Sequence, residues 1–189
     1  MEAANRVEAA TRAAERAGFT LSCDPGVGQF LSVLSAAVPP GGSILELGTG
    51  AGVGLAWIVA GLGTRTDVQV ASVELDAGTA AVAAQGRWPA FVKLEVGDAL
   101  EVLRRGDRWN LIFADAQGGK WEGLDDTIEA LDRGGVLLVD DMRPPEFATD
   151  LHRDKAIEVR ERLLADDRLV AVEIGWSSGV ILSTRIHGG

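Results

Sequence analysis

Five short apolar runs punctuate this chain: SILEL at 43–47, VQVASVEL at 68–75, FVKLEV at 91–96, WNLIFAD at 109–115 and GGVLLVDD at 134–141. Helix-like stretches near 53–62, 77–87, 98–104 and 121–132 separate them, the last carrying Trp121, Leu124, Ile128 and Leu131 on one stripe. Runs this short and this apolar read as strands buried on both faces, and a helix between each pair carries the chain back over the sheet. The alternation therefore predicts an α/β fold, a parallel sheet with helices on both sides. The end of the chain breaks the rhythm. After a helix near 150–166, RLVAVEIGW and GVILSTRI are separated only by Ser177 and Ser178, which permits only an antiparallel hairpin. Seven strands are expected in all, mostly parallel, with one reversed strand near the C-terminus.

Two helices precede the sheet. Val7, Ala10, Ala14 and Ala17 recur at helical spacing until Gly18, and a second helix runs from about Gly26 to Val38, before PPGG. At 189 residues and 47% hydrophobic content, residues 1–189 read as one domain, with helices in 1–40 and an α/β core in 41–189. A net charge of −10 disfavours nucleic acid as a partner. The lone Cys23 fits a reducing, cytoplasmic setting and reads as a small buried hydrophobe. The N-terminus mixes both charge signs and has no apolar secretion core. Residues 47–64 are uncharged, but six glycines interrupt them, so no membrane span is expected.

The first strand leads into four alternating glycines, Gly48, Gly50, Gly52 and Gly54, directly after Glu46. A tight turn alone needs one or two, so the excess points to a ligand that touches backbone. No lysine follows, which excludes a triphosphate loop. The dinucleotide register fails too, because Val53 or Leu55 falls where the third glycine belongs. The segment ELGTGAGVG resembles the first motif of the class I S-adenosylmethionine-dependent methyltransferases. That ligand has no pyrophosphate and carries a sulfonium and an ammonium, which suits the acid Glu46. The resemblance extends to SVELD, where Glu74 would hold the ribose beside Leu75, and to EVGDAL, where Gly97, Asp98 and Ala99 would meet the adenine. Bland alternatives are a solvated strand end for Glu74 and a helix N-cap for Asp98; the cap is compatible with ligand binding. The resemblance implies a Rossmann-like, doubly wound sheet with an antiparallel seventh strand. It places the cofactor on Glu46, Gly48, Thr49, Gly50, Gly52, Glu74, Leu75, Gly97, Asp98, Ala99 and Asp115.

From about Cys23 to Asp141, and in the hairpin, the chain more narrowly resembles the small O-methyltransferases of the catechol and caffeoyl-coenzyme A type. DPGVGQFLSVL is similar to that family's helix at the cofactor pocket, LIFADA to its fourth strand and GGVLLVDDM to its fifth. The resemblance implies that Asp115, Asp140 and Asp141 hold Mg²⁺ or Ca²⁺, and hard oxygen donors of this kind suit such cations. It departs from the family in three places. Asp141 stands for an asparagine, Gly54 for a serine that contacts the cofactor carboxylate, and Gly118 for the basic lysine. Lys120 is the nearby lysine, either turned inward as general base or solvated before a helix. Trp121 walls a substrate or belongs to the core; His152 and His187 carry no assignment. Arg143 to Phe147, RPPEF, reads as a stiff loop over the pocket mouth. The expected activity is O-methylation of a small hydroxylated, catechol-like acceptor with metal assistance, in an enzyme that could be a homodimer. Two alternatives are a metal-independent methyltransferase and a cofactor-binding protein that has lost catalysis.

Overall fold

The computed structural model describes residues 2–144 and 148–186, with side chains from Asn5 onward. Its centre is a seven-stranded sheet in the order β3-β2-β1-β4-β5-β7-β6. The strands are β1 (Ser43–Leu47), β2 (Gln69–Glu74), β3 (Val92–Val96), β4 (Trp109–Ala114), β5 (Leu131–Val139), β6 (Leu169–Ile174) and β7 (Val180–Arg185). The first five pair in parallel, and β7 runs antiparallel to both β5 and β6. The order steps outward from β1 to β3, then returns to the other side of β1 at β4. Crevices open at the carboxyl ends of strands where the order reverses, here between β1 and β4.

Helices α1 (Glu2–Arg16), α2 (Pro25–Ala37), α3 (Val53–Leu62), α4 (Ala77–Ala83), α5 (Ala99–Leu103), α6 (Leu124–Glu129) and α7 (Asp150–Ala165) complete the fold. The pleat divides the core in two. Leu45, Leu47, Ile112, Ala114, Leu137 and Val139 pack on the side of α5, α6 and α7. Ile44, Leu111, Phe113 and Leu138 pack on the side of α1, α2 and α3. Asp24 caps α2, accepting from the Gly26 amide at 2.8 Å, and Pro25 takes the first helical position, where its missing N–H costs nothing. Among the described residues, no helix is long and apolar enough to cross a membrane.

Two helices are shorter than the sequence pattern implies. The stripe over 121–132 is helical only from Leu124, because Gly119 and Gly123 take positive φ and fold 117–123 into a compact turn. At its other end Trp109 N donates to Ala130 O at 2.8 Å, and Leu131 joins β5 opposite Trp109. Helix α4 stops at Ala83 rather than near 87. The Ala83 carbonyl accepts from Gly86 N at 2.9 Å, in a tighter turn, and from the Trp88 indole N–H at 2.8 Å, so the last turn is closed without further α-helix.

Helices α2 and α3 approach closely. Ser32 Oγ donates to Trp57 O at 2.8 Å, and a Cβ on Gly61 would overlap the Ser32 carbonyl oxygen. Alanine is favoured over glycine in a helix by about 0.8–1 kcal/mol, but forcing a methyl onto packed backbone costs about 1–3 kcal/mol. Gly61→Ala should therefore lower the thermal midpoint. A midpoint equal to or above wild type would show that this helix pair has slack.

Candidate active site

A cavity of about 410 Å³ lies at the carboxyl ends of β1, β2 and β4. The glycine turn forms its floor, and Phe19, Leu21, Ser22 and Cys23, between α1 and α2, line one side. Gly48 has φ 98°, and a Cβ there would sit 2.7 Å from the Asp115 carbonyl oxygen. Only glycine lets the β1 and β4 exits pass this closely. Gly50 and Gly52 also take positive φ, at 53° and 92°.

Every residue expected to meet the cofactor lines this cavity: Glu46, Gly48, Thr49, Gly50, Glu74, Leu75, Gly97, Asp98, Ala99 and Asp115, with Gly52 as the exception. Gly52 instead caps α3, packed beside Ala83 and Trp88. Glu74 is anchored by two amides, Gly50 N on Oε2 at 2.9 Å and Asp76 N on Oε1 at 3.0 Å. This ties the second strand's acid to the glycine turn and fixes its rotamer. Asp98 caps α5, accepting from Leu100 N at 2.8 Å, and stays exposed at the cavity rim.

Glu46 is fully buried. Its Oε2 accepts from Ser72 Oγ, which lies 2.6 Å from Thr49 Oγ1, while Oε1 has no hydrogen-bond partner among the described residues. Burial pushes the Glu46 carboxyl up to about 8; the Ser72 hydroxyl opposes this, and the neighbouring Glu74 adds to it. A Cβ on Gly54 would overlap Glu46 Oε1. The residue that departs from the family's serine thus makes room for this carboxyl. Ser72 was not singled out from the sequence. Its signal is a lone hydroxyl inside an apolar strand, in register with Glu46 on the neighbouring one.

Asp115 joins this cavity to a second group. Asp115, Asp140 and Asp141 each offer a carboxylate oxygen within 4.8 Å of the others. Asp141 adopts φ 63°, which turns the chain just after β5 and lets consecutive acids share one side. Asp140 is buried, and its Oδ1 accepts from its neighbour's amide (Asp141 N, 2.7 Å) and from Ser178 Oγ. Ser178 belongs to the hairpin turn, which the sequence reading treated only as a spacer. Met142 N and Arg143 N donate to Gly179 O and Ser178 O, at 2.9 and 2.8 Å, and stitch the acidic turn to that hairpin.

Lys120 points inward. Only 3% exposed, its Nζ lies 3.1 Å from Asp141 Oδ2, 3.2 Å from Asp140 O and 4.0 Å from Asp115 Oδ1. The turn at Gly119 (φ 88°) delivers it there, while Gly118 lines the cofactor cavity. Burial raises the Asp115 carboxyl well above its usual range, against the pull of Lys120, and the nearby Asp140 and Asp141 raise it further. Burial likewise raises Asp140. Trp121 packs partly against the core and meets His152 edge-on, with centroids 4.9 Å apart. Of the RPPEF loop, 145–147 lie outside the described residues, as does His187.

Residues 45–142 match the family model of a methyltransferase domain. A Mycobacterium ulcerans protein named as an O-methyltransferase is 33% identical over 172 residues, spanning 85% of this chain and 76% of its own. Among solved structures, an O-methyltransferase from Klebsiella pneumoniae superimposes with a TM-score of 0.81 at 24% identity, over 96% of this chain and 90% of that one. An O-methyltransferase from Streptomyces achromogenes involved in tomaymycin synthesis, solved with S-adenosylmethionine, gives 0.80 at 20% identity, over 96% and 90%.

The buried Glu46 makes stability depend on pH. A carboxyl raised from 4.5 to about 8 keeps its proton in the folded state where the unfolded state has lost it. Stability contributed there is present below the unfolded value and falls as pH rises through the folded one. The unliganded protein should lose thermal stability between pH 5 and pH 8, and Glu46→Gln should lose less. Asp115 and Asp140 act with the same sign, so some decline should persist. Identical declines in both proteins would show that Glu46 is ionised throughout.

Proposed function

The chain belongs to the S-adenosylmethionine-dependent methyltransferases, in their O-methyltransferase family, and from that premise we propose that it methylates a hydroxyl oxygen of a small, catechol-like molecule with the help of a divalent cation. The observation that carries this reading is the double membership of Asp115, which lines the cofactor cavity and belongs to the acidic triad. Methyl donor and hydroxyl acceptor would therefore meet across one residue.

The cofactor would lie along the glycine turn, its ribose on Glu74 and its adenine by Asp98 and the Ala99 amide. Glu46 would face the cationic amino-acid end. The donor set of the triad is all oxygen, which fits Mg²⁺ or Ca²⁺. Held by Asp115, Asp140 and Asp141, such a cation supplies Lewis acidity that lowers the pKa of a hydroxyl. Lys120 would take the acceptor's hydroxyl proton. The oxygen then bonds the methyl carbon as the carbon–sulfur bond breaks, and the electron pair stays on sulfur. Opposite charges cancel in this step, so alignment of the two reactants supplies much of the rate.

Lys120→Ala should cut kcat on a catechol substrate by about 10²–10⁴-fold while S-adenosylhomocysteine binds as in wild type. Near-normal turnover would reduce Lys120 to a structural counter-ion. Chelation with EDTA should abolish methylation of the same substrate, Mg²⁺ should restore it, and cofactor affinity should be unchanged in titration calorimetry. Full activity in EDTA would instead favour the metal-independent reading, with the Lys120 ammonium as the cluster's only cation.

A further inference from the structure

A second cavity, of about 540 Å³, lies between α1 and the segment that follows α4. Its charge is opposite to that of the protein. The chain carries 28 acids against 18 lysines and arginines, yet among the described residues no acid lines this space. Arg6 and Arg16 reach it from α1, and Arg87 from the facing loop. Nine of the fifteen arginines form ion pairs among the described residues. These three do not, and they converge on one cavity. In a protein so rich in carboxylates, three guanidiniums that line one cavity with no ion-pair partner among the described residues are a local excess of positive charge.

The walls are built for a ligand. Trp88 is half-buried, held by its hydrogen bond to Ala83 O and by packing against Gly86 and Gly52. The α1 wall facing it is made of alanines, which leave the space open. Arg6 and Arg16 are ten residues apart on α1, about 15 Å along the helix axis. The spacing asks for an elongated molecule with more than one anionic group. Guanidinium forks match phosphate oxygens in pairs, and the indole and alanine walls leave an apolar stretch between them.

We propose that this cavity binds a small molecule carrying two or more phosphate groups, at a site separate from the methyl-transfer cavity. The two cavities share only Ala51 as a wall. The protein's net charge of −10 disfavours such ligands elsewhere on its surface.

The probes are ADP and inorganic pyrophosphate, titrated calorimetrically into the protein saturated with S-adenosylhomocysteine. Saturation blocks the adenine pocket. Both probes should bind with one site per chain. The double variant Arg6→Gln/Arg87→Gln should weaken them at least tenfold, and its affinity for S-adenosylhomocysteine should stay within twofold of wild type. That second measurement also reports that the variant is folded. Arg16→Gln alone should weaken ADP severalfold. No binding of either probe at millimolar concentration would overturn the proposal. So would equal affinity in the variants, or ADP binding that disappears once S-adenosylhomocysteine fills the cofactor cavity.

Discussion

The close passage of two strand exits at Gly48 is the constraint on which the site depends. Leu47 O accepts from Asp115 N at 2.9 Å, so the pairing continues one residue beyond β4. The Asp115 carbonyl then lies against Gly48, where any side chain would intrude. If the exits were pushed apart, Asp115 would leave the edge of the cofactor cavity and the glycine turn would lose its support. Gly48 N and Thr49 N both donate to Val73 O, which ties the same turn to β2. Three strands thus hold one turn, and the carboxylates Glu46, Glu74 and Asp115 are placed by backbone rather than by one another.

That placement concentrates negative charge. Glu46 and Asp115 face one cavity, and Asp140 and Asp141 adjoin it. Buried acids of like sign either pick up protons or acquire a counter-ion. Both solutions occur here. Glu46 is pushed up to about 8 and accepts from a serine hydroxyl, whereas the aspartates enclose the ammonium of Lys120. A divalent cation in the triad would have to share these oxygens with Lys120. The third aspartate matters for that reason: Asp141 supplies a full negative charge where an asparagine would supply a dipole, and it is Asp141 that lies nearest the ammonium.

Much of this was legible in the chain itself. The five apolar runs and the Ser177-Ser178 spacing predict the sheet order's essential feature, parallel strands followed by one reversal, because burial on two faces and a short connection each leave a single geometry. The glycine turn was legible because four glycines exceed what a turn requires. What escaped was whatever depends on a positive φ inside an apolar pattern. The stripe Trp121, Leu124, Ile128 and Leu131 keeps helical spacing, yet Gly119 and Gly123 break the helix and Leu131 pairs with Trp109. The same break decides the fate of Lys120. The sequence left it either turned inward or solvated before a helix; the left-handed turn at Gly119 places it among the three aspartates. Trp88 escaped for a related reason, since one of the two hydrogen bonds on Ala83 O at the end of α4 comes from a side chain beyond the helix.

The C-terminal hairpin ties these observations together. In an α/β sheet a final reversed strand could serve only to cover an edge. Here its turn reaches back to the site. Ser178 bonds the Asp140 carboxylate, Ser177 bonds the Asp24 cap of α2, and Gly179 at φ 74° brings its backbone against Arg143. A Cβ on Gly179 would lie 2.6 Å from that of Arg143, so this contact also requires glycine. The turn therefore clamps the acidic pair from one side and the entry to α2 from the other. With one oxygen of Asp140 already committed to Ser178 and the Asp141 amide, the other is left for the cluster. Asp141, held in a left-handed conformation by the same clamp, turns its carboxylate toward Lys120 rather than along the strand. Residues more than thirty positions away in sequence thus set the direction of the two acids at the end of β5, and the reversal of β7 is what brings them there.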